Sequence, residues 1–501
     1  MSADGGSKNT GGIRKDDRPN DCAANDGVSS GGALNDKDGA AAGRNDSVRM
    51  EILLSHALLP VGEPGVFWAL VTLTGLSPNA KEAVHGGGGR ARLPLNIGLV
   101  LDRSGSMSGE PLEYVKEAAC FVVDQLSARD KFSLVTFDSD VELLCPSQEV
   151  QFKDQLKAAI RNIQSGSSTN LSGGLLRGYE EVLKENRAGQ VNRVVLLTDG
   201  MANVGVTDPT LLGAKVRAIE KKGISVSAVG VGSAFDEDLL IALAEAGHGN
   251  FYYVKNIDEI PSVFRQELTG LLSVVAQAVK VKATVGFGCK LAGVLGYEPE
   301  PAPDGAVLHL PDMYEDEVKR LVLEVWHPPL PEGEHEVLEV SLKYVDAGQA
   351  LAEVSVSVKA RLSAGYGPPE AYKPRYEVVK RVELVKTALA KDKAVEKSRE
   401  GELNESKAIL QHRLQALENL TRDGHGAGDA EVKEEIENLR NLVRQVDEIE
   451  EERKRLKTRG THASLSDNAA PTPSQATFLK ELRSQSYMTR RDRREPNTRG
   501  E

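Results

Sequence analysis

The sequence predicts an α/β protein built on a doubly wound, mostly parallel sheet, with an additional antiparallel β-sandwich and a C-terminal helical region. Apolar strand segments alternate with amphipathic helices from Leu93 to about residue 277, which is typical of a parallel sheet covered by helices on both faces. In residues 279–361, apolar and polar residues alternate between Pro and Gly-Asp turns, as in an antiparallel sandwich. Residues 370–456 carry narrow apolar stripes at spacings of three and four, as in paired helices.

The composition is that of a globular protein with several domains. The chain has 501 residues, of which 40% are hydrophobic and 27% charged, and its formal net charge is −12 at pH 7. This length is enough for roughly two to four domains, and the acidic balance argues against general nucleic-acid binding. Residues 1–47 are rich in Gly, Asp, Asn, Ser and Ala. They are expected to be a disordered tail, because they cannot bury enough apolar surface to offset their ordering entropy.

The cysteines and the hydropathy of the chain bear on its compartment. The 4 cysteines are scattered without C-x-x-C spacing, which indicates neither a disulfide framework nor a zinc site and fits a reducing compartment. The first residues lack the apolar segment of a signal peptide, and no run approaches the roughly 20 apolar residues of a membrane-spanning helix. We therefore expect a cytoplasmic protein without a transmembrane segment; secretion by a non-classical route is the alternative.

Two strand segments precede the α/β region. Arg49–Leu59 and Val66–Leu76 are rich in Val, Leu, Ile and Thr and are separated by turn residues, which predicts a hairpin. Because a two-stranded hairpin is barely stable alone, we expect residues 48–78 to complete the sandwich formed by residues 278–362. The α/β domain, residues 92–277, would then be inserted into a β domain.

The α/β region is predicted element by element. Val141–Leu144 follows Phe137 after only three residues, so these two strands must form an antiparallel hairpin at one edge of the sheet. The predicted strands are Leu95–Leu101, Lys131–Phe137, Val141–Leu144, Arg193–Thr198, Ser225–Gly230 and Asn250–Val254. The predicted helices are Glu113–Leu126, Phe152–Ile163, Leu171–Lys184, Pro209–Lys222, Asp236–Glu245 and Ile257–Ser273.

The C-terminal part is predicted to be helical and then irregular. Residues 370–458 are expected to form a helical hairpin or short coiled coil that is broken after Arg422 by Asp-Gly-His-Gly. Residues 459–501 are polar and locally basic and are expected to be a flexible tail with one short helix at Ala476–Ser484. Such a tail is expected to be solvated, with binding to an acidic partner surface or anionic lipid as the alternative.

The most informative stretch follows the first strand of the α/β region. Leu95–Leu101 is a nearly unbroken apolar run, typical of a strand buried on both faces, and it ends in Asp102-x-Ser104-x-Ser106. This sequence offers one carboxylate and two hydroxyls but neither nitrogen nor sulfur ligands. Such a set of hard oxygen donors suits a small hard cation, above all Mg²⁺.

Two further segments carry the same chemistry. In the segment Ser165–Ser172, Thr169 is the best candidate ligand for the cation. A second apolar strand ends in Thr198-Asp199-Gly200. Ligands of open α/β sheets bind outside the carboxyl ends of the strands, where the strand order reverses. If the two apolar strands are neighbours there, the carboxylates converge. Mg²⁺ takes about six oxygens, so a carboxylate from another molecule could occupy an open position.

Taken in order, these segments resemble the metal-ion-dependent adhesion site of von Willebrand factor type A domains: Asp-x-Ser-x-Ser, then a Thr, then Thr-Asp-Gly. The resemblance spans roughly Leu93 to Gln277. It implies a non-enzymatic module whose Mg²⁺ (or Mn²⁺ or Ca²⁺) binds an Asp or Glu of a partner protein. The positions that match the ligand positions of the family are Asp102, Ser104, Ser106, Thr169 and Asp199.

The resemblance also suggests how the domain is arranged in the chain and which partner it has. A type A domain inserted into a β domain is similar to the arrangement in inter-alpha-trypsin inhibitor heavy chains and their bacterial relatives. The final helix of the type A domain, which can shift when ligand binds in the family, corresponds to Ile257–Ser273. Cytoplasmic bacterial relatives often act beside AAA ATPases of the MoxR type, which suggests such an ATPase as one partner.

Two other functions are compatible with strand-end aspartates. A Mg²⁺-dependent hydrolase or phosphotransferase of the haloacid dehalogenase kind opens with Asp-x-Asp, but position 104 is Ser, so the general acid/base is missing. Ser104 or Ser106 as a nucleophile would need a histidine within reach, and His248 is the local candidate. The remaining alternative is a structural scaffold with a non-functional metal site.

Overall fold

The computed structural model describes residues 34–35, 41–44, 47–76, 92–187, 189–347, 352–422, 428–458 and 471–492. In these parts the chain forms nineteen strands and ten α-helices. The strands before the α/β region are β1 (Leu34–Asn35), β2 (Ala41–Arg44), β3 (Val48–Leu54), β4 (Leu58–Leu59) and β5 (Gly65–Gly75). The strands of the α/β region are β6 (Leu95–Asp102), β7 (Lys131–Phe137), β8 (Val141–Glu149), β9 (Val191–Thr198), β10 (Ser225–Val231) and β11 (His248–Val254). Its helices are α1 (Glu110–Gln125), α2 (Lys153–Arg161), α3 (Leu171–Lys184), α4 (Pro209–Glu220), α5 (Glu237–Ala246) and α6 (Ile260–Leu272).

The remaining elements follow in chain order. The strands are β12 (Val274–Val285), β13 (Lys290–Val294), β14 (Glu300–Ala302), β15 (Gly305–Leu310), β16 (Met313–Tyr314), β17 (Val318–His327), β18 (Gly333–Asp346) and β19 (Glu353–Ala364). The helices are α7 (Tyr376–Arg399), α8 (Leu403–Arg422), α9 (Ala430–Thr458) and α10 (Pro473–Arg490). Short 3-10 helices cover Gly105–Met107, Ile257–Glu259 and Pro369–Tyr372.

The α/β region is one sheet with the order β11-β10-β9-β6-β7-β8. All neighbours are parallel except β8, which is antiparallel to β7 at the edge, as the short link after Phe137 predicts. The doubly wound, mostly parallel sheet is thereby confirmed. Helices α1, α2 and α6 share a core with one face, and α3, α4 and α5 with the other. The strand order reverses between β6 and β9, because the chain proceeds outward from β6 on one side and from β9 on the other.

Close packing fixes the position of α3 on the centre of the sheet. Every residue of β6 and β9 is buried, which is why apolar residues dominate both strands. A Cβ on Gly98 would lie 2.8 Å from Val182 Cγ2, and a Cβ on Gly178 would lie 2.2 Å from Val100 Cγ2. Glycine at these two positions therefore lets helix and strand approach closely. This contact brings the loop that precedes α3 to the end of β6.

The other strands form two sheets, with the orders β1-β2-β3-β5-β17-β13 and β14-β15-β12-β18-β19-β4, that enclose one hydrophobic core. Strand β5 pairs antiparallel with β17 along its whole length. The strands on either side of the α/β region therefore belong to the same sheet. Strand β12 starts at Val274, a few residues before the boundary predicted at residue 277.

The predicted strand Arg49–Leu59 is divided in the structure. Strand β3 ends at Leu54, and the following strand β4 pairs with β19 in the other sheet. The guanidinium of Arg375 donates hydrogen bonds to the carbonyls of Leu54 (2.7 Å) and His56 (3.3 Å). These carbonyls are thereby satisfied outside a strand ladder, so the chain can leave one sheet and cross to the other.

The C-terminal region differs from the sequence prediction in two places. The predicted helical hairpin consists of three helices, α7, α8 and α9, of which α7 also packs on the outer face of the sheet that contains β5 and β17. The tail predicted to be flexible contains α10, twice the length of the predicted helix Ala476–Ser484.

Helix α10 is anchored by buried apolar side chains and by ion pairs. Phe478, Leu479, Leu482 and Tyr487 are buried. Basic residues of α10 bind the acidic first turn and the end of α5. Three basic residues of the predicted tail, Lys480, Arg483 and Arg491, therefore dock within the chain, whereas residues 459–470 and 493–501 lie outside the described part. None of the described helices combines the length and the apolar character needed to cross a bilayer.

Candidate metal-binding site

The candidate ligands lie at the carboxyl edge of the central sheet, where the strand order reverses. Asp102 is the last residue of β6 and is fully buried, and Asp199 follows the last residue of the neighbouring strand β9. The backbone N–H of Ser104 donates to Asp102 Oδ1 at 2.7 Å, which turns the chain as it leaves the strand. A 3-10 helix, Gly105–Met107, then presents Ser106 to the same edge.

Hydroxyl groups link the two carboxylates. Ser106 Oγ donates to Asp199 Oδ1 at 2.7 Å and lies 3.2 Å from Ser104 Oγ. On the buried side, Thr198 Oγ1 donates to Asp102 Oδ2 at 2.5 Å. Segments that are almost a hundred residues apart in the sequence thus meet in one cluster of oxygen atoms.

Thr169 completes the set from the third segment. It is 4% exposed, and its backbone N–H donates to Asn203 Oδ1 at 2.9 Å. A Cβ built on Gly200 would lie 3.2 Å from Thr169 Oγ1 and 3.7 Å from Ser106 Oγ, so both hydroxyls flank the backbone of Gly200. The structure therefore brings together all five residues that the sequence singled out. A side chain at position 200 would crowd these hydroxyls, which explains the glycine.

Three further residues hold the site in place, and the sequence alone assigned this part to none of them. Thr198 orients Asp102, Asn203 orients the backbone of Thr169, and the carbonyl of Asp138 accepts the N–H of Asn170 at 2.7 Å. Thr198 belongs to the Thr-Asp-Gly motif, so its position was visible in the sequence, but its hydrogen bond to Asp102 was not. Asn203 and Asp138 lie in loops, and their local sequence carries no comparable signal.

The two carboxylates are desolvated and close to each other. Burial raises the pKa of Asp102, while hydrogen bonds from Thr198 and Ser104 oppose that shift. Burial also raises the pKa of Asp199 to about 6; the hydrogen bond from Ser106 lowers it, and the charge of Asp102 raises it further. Within the described residues, neither carboxylate belongs to an ion pair. The cluster therefore carries negative charge that no side chain of the described chain neutralises.

The donor set fits a hard divalent cation. Carboxylate and hydroxyl oxygens are ligands that Mg²⁺ accepts, and Mg²⁺ sites commonly keep several positions for water or a ligand. The described residues contain no group of three or more His, Cys, Asp or Glu that could hold a metal ion. The candidate site has only two such residues and depends on hydroxyls for the rest.

His248, the sequence candidate for activating a serine, lies at the opposite edge of the sheet. It begins β11, which is parallel to β10, and β10 is parallel to β9. Its Nδ1 lies 3.0 Å from Glu220 Oε1, and its φ of 47° is that of a turn. His248 therefore does not activate Ser104 or Ser106, both of which lie at the carboxyl edge.

Comparison with known proteins places this region in a family. The model of the von Willebrand factor type A domain matches residues 96–266. The uncharacterized protein YfbK of Escherichia coli is 32% identical over 189 residues, which cover 37% of this chain and 33% of that protein. The uncharacterized protein sll0103 of Synechocystis is 28% identical over 323 residues, covering 62% of this chain and 76% of that protein. Human inter-alpha-trypsin inhibitor heavy chain H4 is 30% identical over 152 residues, 29% of this chain and 16% of that protein.

Solved structures extend the likeness of fold beyond that region. A von Willebrand factor type A protein from Catenulispora acidiphila superposes with a TM-score of 0.62 at 15% identity, covering 88% of this chain and 97% of the other. The ArnB paralog VWA2 from Sulfolobus acidocaldarius superposes with a TM-score of 0.53 at 16% identity, covering 88% and 99%. This chain spans about a third of the length of the E. coli relative. The chain therefore contains a von Willebrand factor type A domain, as its motif predicted, and is related through that domain to the inter-alpha-trypsin inhibitor heavy chains and to bacterial proteins such as YfbK.

Proposed function

We propose that this chain is a cation-dependent protein-binding module that uses its type A domain to bind an acidic residue of a partner protein. Domains of this family mediate protein interactions, often through a bound metal ion. The observation that carries the proposal is the contact at 2.7 Å between Ser106 Oγ and Asp199 Oδ1. This contact joins the Asp-x-Ser-x-Ser turn to the second carboxylate. The residues proposed to hold the cation are Asp102, Ser104, Ser106, Thr169 and Asp199.

Each residue has a distinct part in this proposal. Ser104, Ser106 and Thr169 contribute neutral oxygens, whereas the negative charge comes from Asp102 and Asp199. A bound divalent cation supplies the positive charge that an incoming carboxylate needs, since burying an unpaired carboxylate costs several kcal/mol. The neutral hydroxyls keep the protein's own negative charge low, which leaves the cation able to attract a further anion.

Exposure indicates the side from which a partner approaches. Asp102, Ser104 and Thr169 are buried, whereas Ser106 is exposed and Asp199 is partly exposed. A foreign carboxylate would therefore reach the site past Ser106 and Asp199. The β-sandwich and the C-terminal helices are proposed to be separate domains that frame this module. A MoxR-type ATPase as partner and a cytoplasmic location remain proposals from family analogy and composition.

Calorimetric titration with Mg²⁺, Mn²⁺ and Ca²⁺ tests the cation site. We expect heat of binding with the wild type, and none with Asp199→Ala or Ser106→Ala. The matched control is Ser108→Ala, because Ser108 is an exposed serine just beyond the 3-10 helix and should leave binding unchanged. Equal binding by Asp199→Ala would contradict the assignment, and no heat with any of the three ions would favour a scaffold with a non-functional site.

Protein binding requires a second experiment. Immobilised wild type, with Mg²⁺ and with a chelator, is compared with Asp102→Ala and Asp199→Ala in Mg²⁺. The proposal requires partners that are retained only by the wild type in Mg²⁺. If partners are retained equally in all four conditions, partner binding does not depend on the cation.

A further inference from the structure

A cleft of about 540 Å³ lies between the type A domain and the C-terminal helices, and Met201, two residues after Asp199, is part of its lining. Its volume is in the range of about 300–1,000 Å³ found for small-ligand sites. We call it the composite cleft, because its two walls come from distant parts of the chain. One wall consists of Met201 and the loop of residues 233–238, and the other of residues from the C-terminal helices, among them Arg399, Ala476 and Lys480.

The composite cleft is a short distance from the candidate ligands. Met201 lies two residues after Asp199, and the loop of residues 233–238 follows β10, the hydrogen-bonded neighbour of β9. Adjacent strands are about 4.8 Å apart, and an extended chain advances about 3.3 Å per residue. A segment whose acidic residue reaches the cation could therefore place a side chain in the cleft two to four residues away.

Each charged group that lines the composite cleft already has a partner within the chain: Arg453 donates to Gln475 Oε1 at 2.8 Å, Asp236 accepts the N–H of Leu239 at 3.0 Å, and the others form ion pairs. Lys480 Nζ lies 2.6 Å from Glu237 Oε2. Asp238 is bound by Arg399 and by Arg483, at 2.8 Å in the latter case. A charged occupant would have to compete with these internal pairs. The lining therefore favours an uncharged occupant, in contrast to the neighbouring carboxylates, which favour a cation.

Apolar surface is available at the mouth of the cleft. The side chain of Met201 is 53% exposed although it is large and hydrophobic. Ala234 is exposed on the same wall, and Ala476 is half-buried on the opposite wall. Methionine packs well against apolar groups of varied shape, because its side chain is flexible and polarizable. Exposed apolar side chains at a concave surface beside a charged site are typical of a protein-binding surface.

Building on the proposed function, we propose that the composite cleft receives one large apolar side chain of the partner, located two to four residues from the Asp or Glu that reaches the cation. Helix α10 is then part of the partner-binding surface. A type A domain without the C-terminal helices would lack half of the composite cleft. The partner is thereby defined chemically as a segment with one acidic and one aliphatic or aromatic anchor.

Labelled synthetic peptides test this inference. Each twelve-residue peptide carries one central Asp and one Leu, placed one to six residues to either side, in a background of Ser and Ala. Binding to the full chain is measured by fluorescence polarisation with Mg²⁺ and with a chelator. We expect the tightest Mg²⁺-dependent binding with Leu two to four residues from Asp. The expected gain over the peptide without Leu is about tenfold or more, because burying a leucine side chain is strongly favourable.

Variants of the cleft wall provide the decisive comparison. Ala476→Arg fills the composite cleft, and the control Ser474→Arg adds the same side chain at an exposed position of α10 outside the lining. Ala476→Arg should abolish the gain from Leu while Mg²⁺ binding, measured by calorimetry, stays unchanged. Met201→Ser should reduce the gain without affecting folding, since Met201 is exposed. It serves as the second test if Ala476→Arg does not fold.

The outcomes separate this inference from the function on which it rests. Mg²⁺-dependent binding of Asp peptides without any preference for Leu would overturn the inference and leave the proposed function standing. A Leu preference that persists in Ala476→Arg and Met201→Ser would likewise overturn it. Absence of Mg²⁺ binding by the wild type would overturn both.

Discussion

The two edges of the central sheet differ in how they hold buried charge. At the amino edge, Arg193 is 1% exposed and lies 3.7 Å from Glu267 and 3.4 Å from Asp312. Glu267 also accepts hydrogen bonds from Ser227, Asn250 and Tyr252 at 2.6–2.8 Å. At the carboxyl edge, by contrast, the buried Asp102 and the partly exposed Asp199 have only hydroxyl and N–H partners among the described residues.

This difference separates a structural cluster from a candidate binding site. Glu267 belongs to α6, and Asp312 lies between β15 and β16. The amino-edge cluster therefore joins the type A domain to the strands that follow it. Its two carboxylates share the guanidinium of Arg193 as a positive partner. At the carboxyl edge no ion pair within the described part of the chain involves Asp102 or Asp199, and the proposed cation would supply the positive charge. Substitutions at the two edges test this contrast.

The largest effect is expected at the amino edge. Arg193→Met should destabilise the protein by about 3–5 kcal/mol, because it leaves buried carboxylates uncompensated. The control Arg187→Met removes an exposed arginine that also pairs with a carboxylate, Glu185, and should cost less than about 1 kcal/mol. Urea denaturation measures both. Equal costs would show that burial of the amino-edge cluster has no energetic consequence.

At the carboxyl edge, removing a charge should stabilise the protein instead of destabilising it. Asp199→Asn should stabilise the metal-free protein by about 1–2 kcal/mol at pH 7, after allowance for solvent screening at a partly exposed group. The raised pKa of Asp199, about 6 against a normal 3.8, means that the folded state disfavours the charged form. The gain should therefore be full above pH 6 and disappear toward pH 4.

The same unfolding experiment in Mg²⁺ sharpens this prediction. The wild type should gain stability from the ion, and Asp199→Asn should gain less. Asp140→Asn, at an exposed position of the neighbouring loop, is the control and should have little effect in either condition. A destabilised Asp199→Asn protein without metal would contradict the description of this edge as carrying uncompensated charge.

The affinity for the cation should depend on pH. Because the proton on Asp199 must leave before the oxygen binds a cation, the raised pKa of about 6 predicts Mg²⁺ affinity about tenfold weaker at pH 5 than at pH 7. Calorimetry at the two pH values measures it. Asp199→Asn should lose this dependence, and a pH-independent affinity in the wild type would exclude Asp199 as a ligand.

The smallest effect is expected for a supporting residue. Thr198→Val keeps the shape of the side chain but removes the hydroxyl that donates to Asp102 at 2.5 Å. It should cost about 0.5–1.5 kcal/mol of stability without metal, measured by thermal unfolding. A cost as large as that of Arg193→Met would show that the carboxyl edge is as tightly compensated as the amino edge.

Local patterns predicted the α/β region closely, because its elements are determined by burial. The predicted strand Lys131–Phe137 and helix Leu171–Lys184 have the same bounds in the structure. The ends of α10 and the division of Arg49–Leu59 were not predictable in this way. The basic face of α10 binds acidic residues of α5 that lie more than two hundred positions earlier in the sequence. Arg375 donates a hydrogen bond to the carbonyl of Leu54, 321 positions earlier. Such long-range pairs leave no periodic signal.

The sequence alone determined which oxygen donors stand at the ends of two buried strands and in the loop between them. It also determined the family, since Asp102, Ser104, Ser106, Thr169 and Asp199 occur in the order of its motif. Metal binding by these residues stays a prediction. The tertiary structure decided that β6 and β9 are neighbours, that burial raises the pKa of Asp199, and that α10 closes a cleft beside the site. The physical reason is that strand order and desolvation depend on packing between distant segments, whereas local sequence records only which residues each segment buries.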